Sequence, residues 1–158
     1  MRRFGLFEPY LYLEDSMGVY EDRKSLMSLE DYEECKNFFR VIRESRGYDL
    51  QSFPSCIADW VSRALVSIPL DLVRSCQSLF QKETDRALEW INGQAMWHGE
   101  VYEFGEYVNV VRSNLRHVTL YTFTVKKVGD GEVRTAQAML SCGHDGSLSV
   151  EEWRFKPM

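Results

Sequence analysis

The pattern of apolar positions divides the chain into a helical first part and an extended second part. From Leu29 onward apolar residues recur at helical spacing, which predicts a helix over residues 29–45. A second apolar stripe follows Pro69, a residue favoured in the first turn of a helix. This stripe predicts a helix of about 20 residues that ends at Asn92 and Gly93. Residues 58–66 are interpreted as a short helix between these two.

Beyond Gly99 the pattern becomes extended, with β-branched and aromatic residues in four runs separated by turn residues. Gly105 predicts a bulge or kink inside the first run. The order, helices followed by an antiparallel meander of about four strands, predicts an α+β fold with the helices buried on the sheet. The predicted strands are residues 100–112, 115–127, 132–142 and 147–155.

The N-terminal segment, residues 1–27, is rich in aromatic and acidic side chains but lacks clean periodicity. We interpret it as an extended segment in front of a single α+β domain, residues 28–158. Large aromatic side chains are favoured anchors at protein interfaces. The segment is therefore our hypothesis for a partner-binding surface. Its candidate contact residues are Phe4, Phe7, Tyr10, Tyr12, Glu14 and Asp15.

Charge and length narrow the class of protein. The chain has 158 residues, the size of one domain, and a net charge of −5. Residues 1–35 carry nine acidic and four basic side chains, so the rest of the chain is electrically balanced. Since no basic excess is left to neutralise phosphates, nucleic-acid binding is not expected.

The sequence contains no recognisable catalytic or metal-binding motif. Four cysteines are present, but none forms a C-x-x-C pair, and no histidine pair has metal-ligand spacing. The run from Cys142 to Asp145 combines a thiol, an imidazole and a carboxylate, yet its glycines are more typical of a turn. We therefore expect no enzyme activity, no metal and no cofactor.

Neither a secretory signal nor a membrane span is predicted. The first residues contain two arginines but no apolar run before Glu8 and Pro9, and no stretch approaches 18 apolar residues. We expect a cytoplasmic or nuclear protein, not a secreted one, whose cysteines are reduced thiols.

Several short runs, in order, resemble the cystatin fold, in which a helix lies across an antiparallel sheet. They are A-L-E-W-I-N-G-Q, Y-E-F-G-E-Y-V-N-V-V-R-S, L-Y-T-F-T-V-K-K, V-R-T-A-Q-A-M-L and the terminal W-R-F-K-P. The upstream run I-R-E-S-R-G-Y-D-L, followed by Pro54, is similar to a segment of plant cystatin-related proteins. The resemblance covers roughly residues 40–157 and implies a helix packed on a sheet.

The resemblance does not extend to the loops with which inhibitory cystatins block papain-like cysteine proteases. Where those proteins carry Q-x-V-x-G, this chain reads N-L-R-H-V from Asn114 to Val118, and no P-W pair occupies the last turn. Val118 favours an extended strand and does not easily take the positive φ that a glycine gives the hairpin tip. We therefore carry over no inhibitory residues.

The sequence favours a non-catalytic protein–protein interaction module, a subunit or adaptor in a larger complex, whose partner and oligomeric state stay open. One alternative is a cysteine protease inhibitor of the cystatin type. Another is a small-ligand-binding or enzymatic domain of nuclear transport factor 2-like shape, whose cone can hold a pocket. A pocket of that kind would be lined by Glu100, Glu103, Tyr121 or His117.

Overall fold

The computed structural model describes residues 28–50, 66–95, 99–113 and 117–157. Three helices and five strands occur in this part of the chain. The N-terminal segment, residues 1–27, lies outside the described residues. The helices are α1 (Leu29–Ser45), α2 (Leu70–Ser75) and α3 (Gln77–Ala95). The strands are β1 (Val66–Ser67), β2 (Tyr102–Ser113), β3 (Val118–Lys127), β4 (Val133–Cys142) and β5 (Leu148–Phe155).

Helix α1 has the bounds that its sequence predicts. The Ser28 hydroxyl accepts a hydrogen bond from the backbone N–H of Asp31 at 3.1 Å, which caps the first turn. At the other end Arg46 takes a left-handed conformation, with φ 57°. The N–H of Gly47 then returns to the carbonyl of Ile42 at 2.9 Å. This closure satisfies carbonyl groups that the end of a helix leaves without a partner.

The single helix predicted after Pro69 is wrong in two respects. It is interrupted at Cys76, whose φ of −109° and ψ of 36° are not helical, so that α2 and α3 are separate helices. The end predicted at Asn92 is also wrong, since α3 continues to Ala95. The carboxamide of Asn92, within this helix, links α3 to the start of β2. It donates to the carbonyl of Tyr102 at 2.9 Å and accepts from the N–H of Tyr102 at 2.8 Å.

The sheet is an antiparallel meander in the order β1-β2-β3-β4-β5. The four predicted strands are confirmed with small changes at their ends. The fifth, β1, is too short to leave a sequence signal, and it pairs Val66 and Ser67 with Arg112 and Val111 of β2. Val66 was assigned to a predicted short helix and lies in this strand instead; residues 58–65 lie outside the described residues.

Helices α2 and α3 cover one face of the sheet. Ala136 and Ala138 of β4 are fully buried on this face, and their small side chains leave room for the aromatic rings of neighbouring strands. Tyr102 of β2 and Phe155 of β5 approach to 5.4 Å between ring centroids, and Trp153 packs edge-on against Phe155. These contacts show that the sheet curves around α3.

The opposite face of the sheet is buried as well. Successive strand residues point to opposite faces, yet six consecutive residues from Val118 to Phe123 are buried. The segment from Arg46 to Leu50, which follows α1, lies over this second face: the side chain of Asn109 on β2 donates to the carbonyls of Tyr48 and Leu50, both at 2.8 Å. Part of this second face is therefore covered by the segment that follows α1.

The bulge predicted near Gly105 is present. The pairing of β2 with β3 shifts register between Phe104 and Tyr107 and again before Asn109. A Cβ atom on Gly105 would collide with the Thr124 hydroxyl and lie 3.0 Å from the Thr124 carbonyl oxygen. The same hydroxyl accepts a hydrogen bond from the backbone N–H of Glu106 at 2.9 Å. Thr124 thus occupies the space that the glycine leaves open.

We expect Gly105→Ala to lower the free energy of unfolding by about 1–3 kcal/mol, because the added methyl group overpacks the contact with Thr124. Chemical denaturation measures the change. Gly93→Ala is the matched control: a Cβ there meets no atom within 4 Å. Alanine at that helical position should raise stability by about 0.5–1 kcal/mol. A Gly105→Ala protein as stable as the wild type would contradict this account of the bulge.

Candidate functional site

A group of polar side chains lies between α3 and the strands beneath it. We call these five residues the Glu83 cluster: Glu83 and Thr84 of α3, Tyr107 and Arg112 of β2, and Tyr121 of β3. Thr84 lies on the buried stripe of α3, and Glu83, one residue earlier, lies at the flank of that stripe and is half-buried. The cluster therefore places a carboxyl group, a guanidinium and three hydroxyls on the helix-covered face of the sheet.

The hydrogen bonds of the cluster are unevenly distributed. The hydroxyls of Thr84 and Tyr107 are 3.0 Å apart and share a hydrogen bond. The hydroxyl of Tyr121 is fully buried and has no hydrogen-bond partner among the described residues. The carboxyl group of Glu83 is close enough to interact electrostatically with Tyr121, but the two do not form a well-aligned hydrogen bond. A buried hydroxyl without a partner destabilises the fold by roughly 1–3 kcal/mol.

Burial shifts the acid–base properties of the cluster. It raises the pKa of the Glu83 carboxyl above its ordinary value of 4.5, against the opposing attraction of Arg112. It also raises the pKa of Tyr121, and the negative charge of Glu83 acts in the same direction. The pKa of Tyr107 is raised mainly by burial. Shifted groups that cluster in this way are a feature of functional sites, although structural networks show it too.

A second polar network joins the end of α1 to the other face of the sheet. We call its residues the Tyr48 latch: Arg46, Tyr48, Asn109 and Glu152. The Tyr48 hydroxyl donates to Glu152 at 3.0 Å, and the guanidinium of Arg46 lies 2.9 Å from the same carboxylate. Burial, and then the charge of Glu152, raise the pKa of Tyr48. Every member of the latch has a partner, so this network holds the segment after α1 in place.

A cleft of about 280 Å³ opens beside the latch, between α1 and strands β4 and β5. Its polar lining includes Glu44, Asp49, Gln137, Arg154 and Lys156. These groups largely engage one another: Arg154 donates to Gln137 at 2.8 Å, and Lys156 lies 3.3 Å from Asp49. The cleft therefore offers few unengaged groups for a ligand.

The structure separates the residues predicted to line a ligand pocket. Glu100 accepts a hydrogen bond from the Tyr102 hydroxyl at 3.0 Å and lies 3.8 Å from Lys127. Glu103 is exposed and pairs with Lys126, five residues from Tyr121 along β3 and hence roughly 16 Å away. His117 is exposed at a positive φ of 52°. Of the predicted set, Tyr121 alone belongs to the Glu83 cluster.

Other candidates from the sequence occupy turns or lie outside the described residues. Asp145 accepts a hydrogen bond from the N–H of Ser147 at 3.0 Å, within the turn that joins β4 to β5. Val118, at the end of the run compared with the inhibitory loop of cystatins, is fully buried at the start of β3. The predicted partner-binding residues Phe4, Phe7, Tyr10, Tyr12, Glu14 and Asp15 all lie outside the described residues.

In the part of the chain that the structure describes, no group of three or more His, Cys, Asp or Glu side chains is arranged to hold a metal ion. None of the described helices is long and apolar enough to cross a membrane. Comparison with models of known protein families, with curated proteins and with solved structures found no match to this chain.

Tyr48 and Tyr121, both fully buried, allow a matched test of the two polar networks. We expect Tyr48→Phe to lower the free energy of unfolding by about 1.5–3 kcal/mol, because it removes a hydrogen bond to a charged carboxylate. Tyr121→Phe should leave stability unchanged or raise it slightly, since its hydroxyl approaches Glu83 without a well-aligned hydrogen bond to lose. Both values come from denaturant unfolding of purified protein. Equal losses of stability in the two variants would show that the Tyr121 hydroxyl is as well bonded as that of Tyr48.

The pKa of Glu83 predicts a dependence of stability on pH. Because the folded state raises this pKa, folding favours the protonated carboxyl, and the benefit is fully present below pH 4.5. It is lost as the pH rises through the folded-state pKa. We expect Glu83→Gln to raise the melting temperature at pH 7 by up to about 3 °C, with the difference from wild type shrinking towards pH 4.

Scanning calorimetry at several pH values measures this difference. Glu89→Gln, an exposed position on the same helix, controls for the loss of one negative charge. A constant difference between Glu83→Gln and wild type over the whole pH range would show that Glu83 does not titrate as described.

Proposed function

We propose that the chain is a non-catalytic protein–protein interaction module of cystatin-like fold, acting in the cytoplasm or nucleus as a subunit or adaptor in a larger complex. The observation that carries this proposal is the open outer edge of β5, to which no described strand is paired. An unpaired antiparallel edge presents a row of backbone donors and acceptors that another chain can use.

The state of the polar side chains supports a binding role over a catalytic one. Glu100, Asp49 and Glu152 are each engaged in ion pairs or hydrogen bonds within the chain. His117 and His144 are both exposed and lie beside turns. These interactions stabilise the domain and leave the outer edge of β5 as a surface for recognition.

The N-terminal segment is the second part of the proposal. Its aromatic side chains are of the types that dominate binding energy at interfaces, and acidic residues are interspersed among them. Phe7 and Tyr10 lie near the middle of the candidate set. We propose that they contact the partner directly.

Small-ligand binding at the Glu83 cluster is a second candidate function. The observation in its favour is the buried Tyr121 hydroxyl without a hydrogen-bond partner among the described residues, next to half-buried Glu83. A ligand with a polar group at this point would supply that partner. A cystatin-type protease inhibitor is less well supported, because fully buried Val118 cannot insert into a protease cleft.

Affinity capture from a native extract tests the first proposal. We expect the tagged wild-type chain to retain a specific partner and Phe7→Ala/Tyr10→Ala to lose at least about tenfold of it, equivalent to about 1.4 kcal/mol of binding free energy. Leu79→Ala, which truncates an apolar side chain on α3 that is 70% exposed, is the matched control.

Melting temperatures distinguish binding residues from core residues in this experiment. If the double variant melts far below wild type yet keeps its partner, Phe7 and Tyr10 are core residues and the surface is misassigned. If no specific partner is retained by wild type while a thermal-shift screen finds a small molecule whose effect Tyr121→Phe removes, the second candidate function replaces the first.

A further inference from the structure

The hydrogen bonds between β5 and β4 show which backbone groups of β5 face outward. Lys156 N–H donates to the carbonyl of Thr135 on β4 at 2.8 Å, and Arg154 and Glu152 pair with Gln137 and Met139 further along. Backbone direction alternates along an antiparallel strand. The N–H and C=O of Trp153, between Glu152 and Arg154, therefore point away from β4, out of the sheet edge.

The charged side chains along this edge would be complementary to those of a second copy of β5 placed antiparallel to the first. Glu152 and Arg154 flank Trp153 on the same face of the sheet, one negative and one positive. When a second β5 is placed antiparallel, with the two Trp153 residues opposite each other, each Glu152 faces an Arg154 of the other copy. Opposite charges directly across an antiparallel pair are stabilising, and like charges are destabilising.

Both side chains can make this additional contact. Arg154 uses its Nε to donate to Gln137 at 2.8 Å, and a guanidinium has further N–H donors. Glu152 binds the Tyr48 hydroxyl through one oxygen and Arg46 through the other, and each carboxylate oxygen accepts more than one hydrogen bond.

Aromatic side chains lie beside the same point of the edge. The indole N–H of Trp153 donates to Gln94 of α3 at 2.7 Å. Trp90 is one turn before Gln94 on the same side of α3 and is 43% exposed. Tryptophan is enriched at the centres of interfaces, so this pair of indoles favours a protein partner at the edge.

The other edge of the sheet is less suitable. There β1 covers Val111 and Arg112, and β2 shifts register twice near Tyr107. On β5 the register shifts at a single place, next to Glu151, just before the run from Glu152 to Arg154. Bulges disrupt strand pairing, and this run is regular.

We propose that the outer edge of β5 binds a second copy of this chain, in a symmetric dimer whose two-fold axis passes beside Trp153. The two sheets then form one continuous antiparallel sheet, with backbone hydrogen bonds between the two Trp153 residues and two reciprocal Glu152–Arg154 ion pairs. This inference rests on the proposed interaction function and names one partner, and a two-fold contact of this kind is self-complementary by necessity.

Analytical ultracentrifugation of the purified full-length protein tests the dimer, without any other partner. We expect wild type to sediment as a dimer at high concentration. Arg154→Glu and Glu152→Arg should each weaken self-association at least about tenfold, since like charges then face each other twice. Mixed in equal amounts, the two variants should form a heterodimer, because positions 152 and 154 of one chain, both glutamate, then face positions 154 and 152 of the other, both arginine.

Trp90→Lys is a further variant that leaves the strand unaltered, and it should also weaken the dimer. Leu79→Lys, the same change at an exposed position elsewhere on α3, should not. Glu152 and Arg154 also have partners within the chain, so their substitution could affect folding. Circular dichroism of each variant checks that it is folded.

If wild type is monomeric at all concentrations, the dimer is overturned. The proposed function is then still tested by the capture of another protein. A dimer that both folded Arg154→Glu and folded Trp90→Lys retain unchanged would overturn the β5 interface. The β5 interface would also be overturned if the two charge-reversed variants, both folded, failed to associate when mixed.

Discussion

Burial of β3 on both faces is the constraint on which the rest of the structure depends. A strand in the middle of a sheet, with apolar or hydroxyl side chains on each side, is stable only when a layer covers each face. On one side α2 and α3 supply that layer. On the other side the end of α1 and the segment after it do so, held by Asn109 and Glu152. The two polar networks therefore differ in position because each belongs to a different interface of the same sheet.

The two networks also differ in how completely their buried polar groups are hydrogen-bonded. Tyr48 and Tyr121 are both fully buried, and in both cases burial raises the pKa of the phenol. Tyr48 donates to a carboxylate that an arginine also holds, so its hydroxyl adds to the stability of the fold. The Tyr121 hydroxyl has no comparable partner among the described residues. The difference in satisfaction distinguishes a structural link from a place where something else can bind.

The fold could be predicted from the sequence wherever local signals agree. Ser28, the acidic first turn and Gly47 define α1, and the glycine turns around residues 129–131 and 143–146 separate the last strands. The break at Cys76 could not be predicted, because apolar spacing continues through it and neither glycine nor proline marks it. The continuous run of buried residues from Val118 to Phe123 was a signal for burial on both faces.

The candidate site was less predictable than the fold. Glu83 and Tyr121 are brought together by the curvature of the sheet around α3, which no local pattern in the sequence records. For Tyr48 the sequence does offer a local signal, because this residue directly follows the end of the helix at Gly47. Its partner Glu152 lies over a hundred residues away and could not be predicted. Glu100 and Glu103 are expected from the sequence to line a pocket with Tyr121, but Glu103 pairs with Lys126 near the end of β3, away from Tyr121.

The bulge on β2 has a consequence for how the chain can vary among related sequences. The Thr124 hydroxyl fills the space beside Gly105 and accepts from Glu106, so the identities of positions 105 and 124 depend on each other. A relative with alanine at position 105 would need a smaller residue than threonine at position 124, and would then leave the N–H of Glu106 to find water. We expect these two positions to covary across homologous chains, as a pair separated by almost twenty residues in sequence and in contact between neighbouring strands.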